Sequence, residues 1–215
     1  MTSRDEILRR VRRQASDASP LPPLDVPGIT FDDPERRFAD VLQSVGGETL
    51  HLADGADVAA ELRKLTWFDG DVQVLSADPT IAVGNVSPDA LDSPHALAAI
   101  DVAVVPGHMA VAENGAVWVS GRDLRQRAVC FLTQRLILVV PRAALVHNMH
   151  EAYARLRFDE PGYGVFVSGP SKTADIEQSL VIGAHGPRAL IVVLVGPARD
   201  PERRLAVPDS TANEH

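Results

Sequence analysis

The sequence predicts an α/β protein built on a mostly parallel β-sheet. Residues 136–140 and 189–195 are continuous apolar runs, which are typical of parallel strands that are buried on both faces. Between these runs, residues 143–156 and 174–182 are predicted to be helices, and residues 165–168 are predicted to be a third strand. This alternation of strands and helices predicts a parallel sheet with helices packed against it.

The first half of the chain supplies shorter elements of the same kind. Residues 34–45 are predicted to be a helix because Phe38, Val41, Leu42 and Val45 lie on one face, and Gly46-Gly47 ends it. Two more helices are expected at residues 58–67 and 96–100. Short strands are expected at residues 49–52, 72–75, 81–83 and 102–105.

A β-hairpin is predicted next to the parallel strands. Residues 109–112 and 116–120 are apolar and flank Glu113-Asn114-Gly115. Asn-Gly between two apolar runs is a strong hairpin signal because both residues tolerate a positive φ. The fold is therefore expected to carry an added hairpin beside the main sheet.

The two ends of the chain are predicted to lie outside the α/β domain. Residues 1–17 contain an amphipathic helix that Ser3 can cap, with Ile7, Leu8 and Val11 as its apolar stripe. Residues 18–32 hold four prolines and are predicted to be a linker. The α/β domain is expected to span residues 33–196, and residues 197–215 to form a flexible tail.

Composition limits the classes of function. The net charge of −8 argues against broad binding to nucleic acid, which needs a basic surface. No apolar run approaches the roughly 20 residues that cross a bilayer, so we expect a cytoplasmic protein without membrane contact. The single cysteine, Cys130, lies in an apolar run and is expected to be buried and inert. One thiol cannot supply the roughly four thiolates of an iron–sulfur cluster, and no metal site or cofactor is predicted.

The stretch from Ser168 to Glu177 joins a predicted strand to a predicted helix. Backbone N–H groups at a helix N-terminus can bind a carboxylate or a phosphate, and Gly169 would let the backbone approach such a ligand. The alternative is ordinary helix capping by Ser171 or Thr173, and residue physics alone leaves the two interpretations about equal. The candidate ligand-binding residues here are Ser168, Gly169, Pro170, Ser171, Lys172, Thr173 and Asp175.

Two other positions could carry chemistry. Glu113 at the hairpin tip could act as a base or nucleophile, although a turn with a solvated glutamate is the simpler interpretation. His185, between Gly183 and Pro187, could be an acid–base group or could hold the turn. Because this turn joins a predicted helix to a strand, it is expected at the opposite sheet edge from the Ser168 loop. His147 and His150 are interpreted as ordinary helix surface.

These motifs together resemble a known family. Ser168-Gly169-Pro170-Ser171-Lys172-Thr173-Ala174-Asp175-Ile176-Glu177, followed by Gly183-Ala184-His185-Gly186-Pro187, is similar to the signature of the LUD domain of lactate-utilisation proteins. Ala112-Glu113-Asn114-Gly115 and the opening Ser3-Arg4-Asp5-Glu6-Ile7-Leu8 are also similar to that family. The resemblance implies a three-layer α/β sandwich like the NagB/RpiA/CoA-transferase group. It further implies iron–sulfur partner proteins in a bacterial system that oxidises L-lactate to pyruvate.

The resemblance leaves three hypotheses for function. The first is a subunit without redox chemistry of its own, which works beside the iron–sulfur proteins and could bind a small carboxylate or phosphate. The second follows from a similarity to the Glu-Asn-Gly of CoA-transferases, which implies Glu113 as an acylated nucleophile with Asn114 and Gly115 beside it. The third is an assembly protein that has no small-molecule site.

Overall fold

The computed structural model describes residues 3–14, 28–156, 162–174, 180–183 and 185–197. In chain order the helices are α1 (Ser3–Gln14), α2 (Pro34–Ser44), α3 (Val58–Leu62), α4 (Val129–Leu132) and α5 (Met149–Arg155). The first strands are β1 (Glu48–Leu52), β2 (Val74–Ser76), β3 (Val102–Pro106), β4 (Met109–Val111) and β5 (Ala116–Ser120). The later strands are β6 (Arg135–Pro141), β7 (Leu145–Val146), β8 (Gly164–Val167), β9 (Lys172–Ala174), β10 (Leu180–Ile182) and β11 (Ala189–Val195). Short 3-10 helices lie at Thr66–Phe68, Pro88–Ala90, Pro94–Ala99, Gly121–Asp123 and Arg142–Ala144.

A five-stranded sheet in the order β1-β11-β6-β3-β2 is the centre of the fold, and each neighbouring pair in it is parallel. Its central strands β6 and β11 pair over seven residues each, from Arg135 with Ala189 to Pro141 with Val195. Both faces of these strands are buried, which explains why their sequences are apolar without alternation.

Each face of the parallel sheet packs against a different layer. On one face, Val102, Ile137 and Ile191 contact α3 through Leu62. On the other face, Leu138 and Val192 join a larger core. That core also takes in α2, α4 and the inner side of a smaller sheet. The observed architecture is therefore an α/β sandwich of three layers, as the resemblance to the LUD family implies.

The smaller sheet has the strand order β7-β4-β5-β8. The β4–β5 pair is antiparallel, and Met109 pairs with Trp118, so the predicted hairpin is confirmed. Met109, Val111 and Val146 on its outer face pack against Ala152 of α5. This sheet holds the hairpin tip against the end of α2 and the start of α5.

Several of the predicted elements match the structure closely. Helix α2 ends one residue before the predicted end, Asp33 caps it, and α1 begins at Ser3 as predicted. The Ile7 and Val11 side chains of α1 are each 59% exposed, so its apolar stripe faces solvent in the described part of the chain. None of the described helices combines the length and the apolar character that a membrane crossing needs.

The predicted helix at residues 174–182 is wrong. Lys172–Ala174 and Leu180–Ile182 are strands that pair with each other antiparallel. Leu180, Val181 and Ile182 form an apolar run in which two residues are β-branched, and such residues favour a strand. The Ser168 loop therefore leads into a strand and not into a helix N-terminus.

The predicted third parallel strand is also misplaced. β8 exists, but it pairs antiparallel with β5 in the smaller sheet, where Trp118 and Phe166 lie 4.8 Å apart between ring centroids. As a result β6 and β11 are direct neighbours in the main sheet.

Three other predicted elements are shorter or different. The helix expected at residues 143–156 covers only Met149–Arg155, because Asn148 caps it. The helix expected at residues 58–67 ends at Leu62. Residues 81–83 form a turn and not a strand, although Ile81 and Val83 are buried. In each case local apolar character was read correctly, but the backbone conformation depends on partners elsewhere in the chain.

The predicted linker and tail lie mostly outside the described residues. Of the linker, residues 28–32 are described. Asn148 donates its side-chain amide to the carbonyl of Ile29 at 2.8 Å, and the Phe31 N–H is donated to Nδ1 of His147 at 3.0 Å. His147 therefore precedes α5 and bonds the end of the linker, which differs from the predicted helix surface.

Candidate functional site

The hairpin tip places Glu113 at the start of α5. Its backbone N–H is donated to the carbonyl of His147 at 3.0 Å, and its Oε2 accepts from the backbone N–H of Met149 at 2.9 Å. Met149 is the first residue of α5, so the carboxylate satisfies one of the N–H groups that a helix start leaves without an intrahelical acceptor. The side chain of Glu113 is exposed. The structure thus presents an accessible carboxylate in a defined orientation.

The tip itself is a turn that its own side chain stabilises. The Asn114 Oδ1 accepts from the Ala116 N–H at 3.1 Å. Gly115 has a φ of +64°, and a Cβ at this position would lie 3.0 Å from the backbone nitrogen of Leu42. The residue must be glycine both for its conformation and because helix α2 lies so close.

The structure brings Ser168 and Gly169 to this tip. The Ser168 hydroxyl donates to the carbonyl of Asn114 at 2.8 Å. Gly169 has a φ of +76°, and a Cβ there would lie 2.8 Å from the carbonyl oxygen of Val45, just after α2. Two stretches that are more than 50 residues apart in the sequence, 113–115 and 168–169, therefore meet at the C-terminal end of one helix.

The rest of the predicted loop continues toward the amino ends of the parallel strands. A Cβ on Gly46, two residues before β1, would lie 3.5 Å from the buried ring of Pro170. The Ser171 N–H is donated to the carbonyl of Pro187 at 2.8 Å, and the Gly183 N–H is donated to the carbonyl of Ser171 at 2.9 Å. The Lys172 side chain is exposed. Thr173 lies in β9, and Asp175 lies outside the described residues.

Two expectations about this loop are therefore wrong. Residues 168–172 do not sit at a helix N-terminus, and the Ser171 N–H is already bonded within the protein. The Ser168 and Gly183–Pro187 loops also lie together and not at opposite sheet edges. Because β9 and β10 form a hairpin where a helix was expected, the chain returns to the edge from which it left. His185 is exposed in the second of these loops.

An ion pair that the sequence analysis missed lies at the carboxyl ends of the parallel strands. Arg142 follows β6, and its Nη2 lies 2.5 Å from Oε2 of Glu35 in the first turn of α2. Both side chains are largely buried, with 15% and 14% of their surface exposed. Arg142 also donates from Nη1 to the carbonyl of Gly196 at 3.3 Å, and Nδ1 of His51 lies 3.9 Å from Glu35. We call Glu35 and Arg142 the carboxyl-end ion pair.

No local sequence motif identifies this pair. The partners are 107 residues apart, and each is an ordinary charged residue beside a predicted element. A guanidinium directly after a strand that ends at the carboxyl edge of a sheet is the only hint, since ligands and polar clusters concentrate there.

The described residues contain no group of three or more side chains suited to a metal ion. Cys130 is 2% exposed within α4, and its burial raises the pKa of the thiol to about 12. At neutral pH the thiol is therefore protonated, and the protonated form is a poor nucleophile and a poor metal ligand. The expectation that this cysteine is buried is confirmed.

Part of the chain is similar to a known protein family. Residues 94–195 match the LUD domain. Lactate utilization protein C of Geobacillus kaustophilus (strain HTA426) is 33% identical over 101 residues, which are 44% of this chain and 42% of that protein. Lactate utilization protein C of Shouchella clausii (strain KSM-K16) is 35% identical over 101 residues, 44% of each chain. The matched stretch thus spans less than half the length of these relatives.

A solved structure supports the fold over a longer stretch. The crystal structure of a DUF162 family protein from Deinococcus radiodurans superposes with a TM-score of 0.55 at 20% identity. The superposition covers 76% of this chain and 96% of that protein. This neighbour bears on the fold alone. The stretch that matches the LUD domain, residues 94–195, includes both the Glu113 tip and the two loops that meet near Ser171.

Proposed function

We propose that this chain is a component of a bacterial lactate-utilisation system that has no redox centre of its own. The main support for this proposal is the match of residues 94–195 to the LUD domain, together with relatives that are named Lactate utilization protein C. Because the match spans less than half of those relatives, the role of the whole protein in lactate utilisation is our inference. We take residues 33–196 as the unit that performs the role.

The cysteine content supports the absence of an iron–sulfur cluster on this chain. Oxidation of lactate to pyruvate releases two electrons, which need a carrier. Cys130 is the only cysteine, and it is buried with a protonated thiol. Since a cluster needs about four thiolates, iron–sulfur proteins would be the partners that carry the electrons.

The hairpin tip and the Ser168 loop are the proposed working surface. Asn114, Gly115, Ser168 and Gly169 meet at one place, and the exposed ammonium group of Lys172 could attract a small carboxylate or phosphate. The hydroxyl of Ser171 and the backbone around Pro170 would add short-range contacts. In the proposed site, the Lys172 side chain attracts the anionic ligand, a role that was expected of a helix N-terminus.

The role can be tested by deleting the gene in its host and restoring it with variants. We expect loss of growth on L-lactate, with normal growth on pyruvate, and restoration by the full chain. A Lys172→Ala variant should restore growth less well than the wild type, and Asp40→Asn on the exposed side of α2 is the matched control. A tagged chain should co-purify iron-containing proteins from lactate-grown cells. Oxidation of lactate by the purified chain alone with an artificial acceptor would contradict the proposal.

A second candidate function is acyl transfer through Glu113. The observation that favours it is the exposed carboxylate held on the Met149 N–H. A carboxylate oxygen would attack the acyl carbon of a thioester, and the thiolate would leave to give a mixed anhydride on Glu113. Mass spectrometry after incubation with acyl-CoA donors should show this adduct in the wild type and not in Glu113→Gln. Full restoration of growth by Glu113→Gln would exclude it, and equal activity of every site variant would favour a pure assembly role.

A further inference from the structure

A small cleft opens on the main-sheet face that carries α4, beside the carboxyl end of β2. Its lining is mostly apolar, with Arg125 and Gln126 as the polar members, and its volume is about 10 Å³. That is room for one water or one methyl group. The principal apolar lining residues are Leu75, Pro88, Leu91, Leu97, Leu124 and Val129. In open α/β sheets ligands bind beyond the carboxyl ends of the strands, and this cleft lies at such a place.

One cation stands at the mouth of the cleft. Arg125 lines it, and its Nε lies 3.1 Å from Oδ1 of Asp89. The Arg125 and Asp89 side chains are 57% and 79% exposed. An ion pair with this exposure is weak because water solvates both partners, so another carboxylate can replace Asp89 at little cost.

A second polar pair, between Asp123 and His108, lies close to Arg125 in the sequence. Asp123 lies two positions before Arg125, and its Oδ2 is 2.5 Å from Nε2 of His108, just after β3. This bond fixes the Gly121–Asp123 turn, from which Leu124 enters the cleft and Arg125 reaches its mouth. The turn therefore places residues 124 and 125 beside the apolar cleft.

We propose that this cleft binds a small monocarboxylate whose apolar end is the size of a methyl group. The apolar end enters between Leu91 and Leu124, and the carboxylate replaces that of Asp89 on Arg125. The inference does not depend on the proposed role in lactate utilisation, although L-lactate belongs to the same chemical class. It is also a different place from the Lys172 surface.

The test is a titration of the full chain with propanoate by ligand-detected NMR. Propanoate should bind about fourfold more tightly than acetate, the factor expected for burying one more carbon. Butanoate should gain nothing further because the space holds one methyl group. Propanamide, which has the same shape without the charge, should bind roughly twofold to fivefold more weakly.

Two substitutions should act in opposite directions. Arg125→Gln should weaken propanoate binding roughly twofold to fivefold, whereas Asp89→Asn should strengthen it by a similar factor, roughly twofold to fivefold, by removing the competing carboxylate. Asp40→Asn, which removes an exposed carboxylate on α2, should leave binding unchanged. Arg125 and Asp89 are exposed, so we expect unchanged melting temperatures.

Several results would overturn the inference. They are equal binding of propanoate and propanamide, no saturable binding of propanoate, or unaltered binding by Arg125→Gln. Loss of binding in Lys172→Ala with retention in Arg125→Gln would assign the carboxylate to the Ser168 loop instead. Normal growth on lactate after deletion of the gene, with normal propanoate binding by the purified chain, would contradict the proposed function and leave the inference about the cleft unaffected.

Discussion

The two ends of the parallel sheet are held together by different physical means. At the carboxyl ends of β6 and β11, Arg142 and Glu35 form a largely buried ion pair, and Arg142 also bonds the carbonyl of Gly196. At the C-terminal end of α2, near the amino ends of the strands, glycines let backbones approach each other, as at Gly169 and Val45. One end therefore depends on charge and the other on the absence of side-chain atoms.

The largest expected effect is at the carboxyl-end ion pair. Arg142→Ala removes the guanidinium that lies against the largely buried Glu35 carboxylate, so we expect the free energy of unfolding to fall by about 3 kcal/mol. Arg36→Ala removes an exposed pair with Asp40 and should change it by less than about 0.5 kcal/mol. Urea denaturation of the three proteins measures both values. A similar small loss for both variants would show that charge does not hold this end.

The next largest effect is expected at the C-terminal end of α2, where the backbone of Gly169 lies close to that of Val45. Gly169→Ala should cost about 2 to 3 kcal/mol, because alanine is strained at positive φ and its Cβ would lie 2.8 Å from the carbonyl oxygen of Val45. Gly55→Ala is the control, since Gly55 has a φ of +72° with nothing within 4 Å of the added Cβ. It should cost only about 1 kcal/mol. Equal costs in urea denaturation would mean that backbone strain alone explains Gly169.

The buried thiol of Cys130 should make the free energy of unfolding depend on pH. Cys130 lies in α4 just before β6, and burial raises the pKa of its thiol from 9.0 to about 12. Between these values the unfolded chain has lost the thiol proton while the folded chain keeps it, so stability falls as pH rises. The loss should reach about 2 kcal/mol at pH 10.5 relative to pH 8. Cys130→Ala should lack this part of the pH dependence in urea denaturation, and parallel pH profiles of the two proteins would contradict it.

The part of this fold that could be predicted is the part that local sequence determines. The apolar runs of β6 and β11, the amphipathic face of α2 and the Asn-Gly turn each contain their own signal. β8 was assigned to the wrong sheet because its pairing with β5 depends on Trp118, 48 residues before Phe166 in the sequence. The segment around Leu180 was misread because a short apolar run can be a helix or a strand until its partner is known.

The candidate site shows the same division. Glu113 and Ser168 could be singled out because family motifs contain them, but the hydrogen bond from Ser168 to the carbonyl of Asn114, the neighbour of Glu113, is a property of the folded chain. The carboxyl-end ion pair and the Asp89–Arg125 pair lay beyond prediction, since neither has a local motif and the energy of each depends on burial. Sequence motifs identified candidate site residues, and the folded structure shows which of these residues contact each other.

The smallest expected effect separates structure from chemistry at Glu113. The carboxylate accepts from the Met149 N–H at the start of α5, so Glu113→Ala should lower the free energy of unfolding by about 0.5 to 1 kcal/mol. Glu113→Gln keeps an oxygen acceptor of the same length and should cost less than about 0.5 kcal/mol. If thermal and urea denaturation confirm this order, any loss of function in Glu113→Gln arises from the missing negative charge. If Glu113→Gln is as destabilised as Glu113→Ala, the negative charge itself stabilises the start of α5. Loss of function in either variant is then explained by lower stability and not by a missing catalytic group.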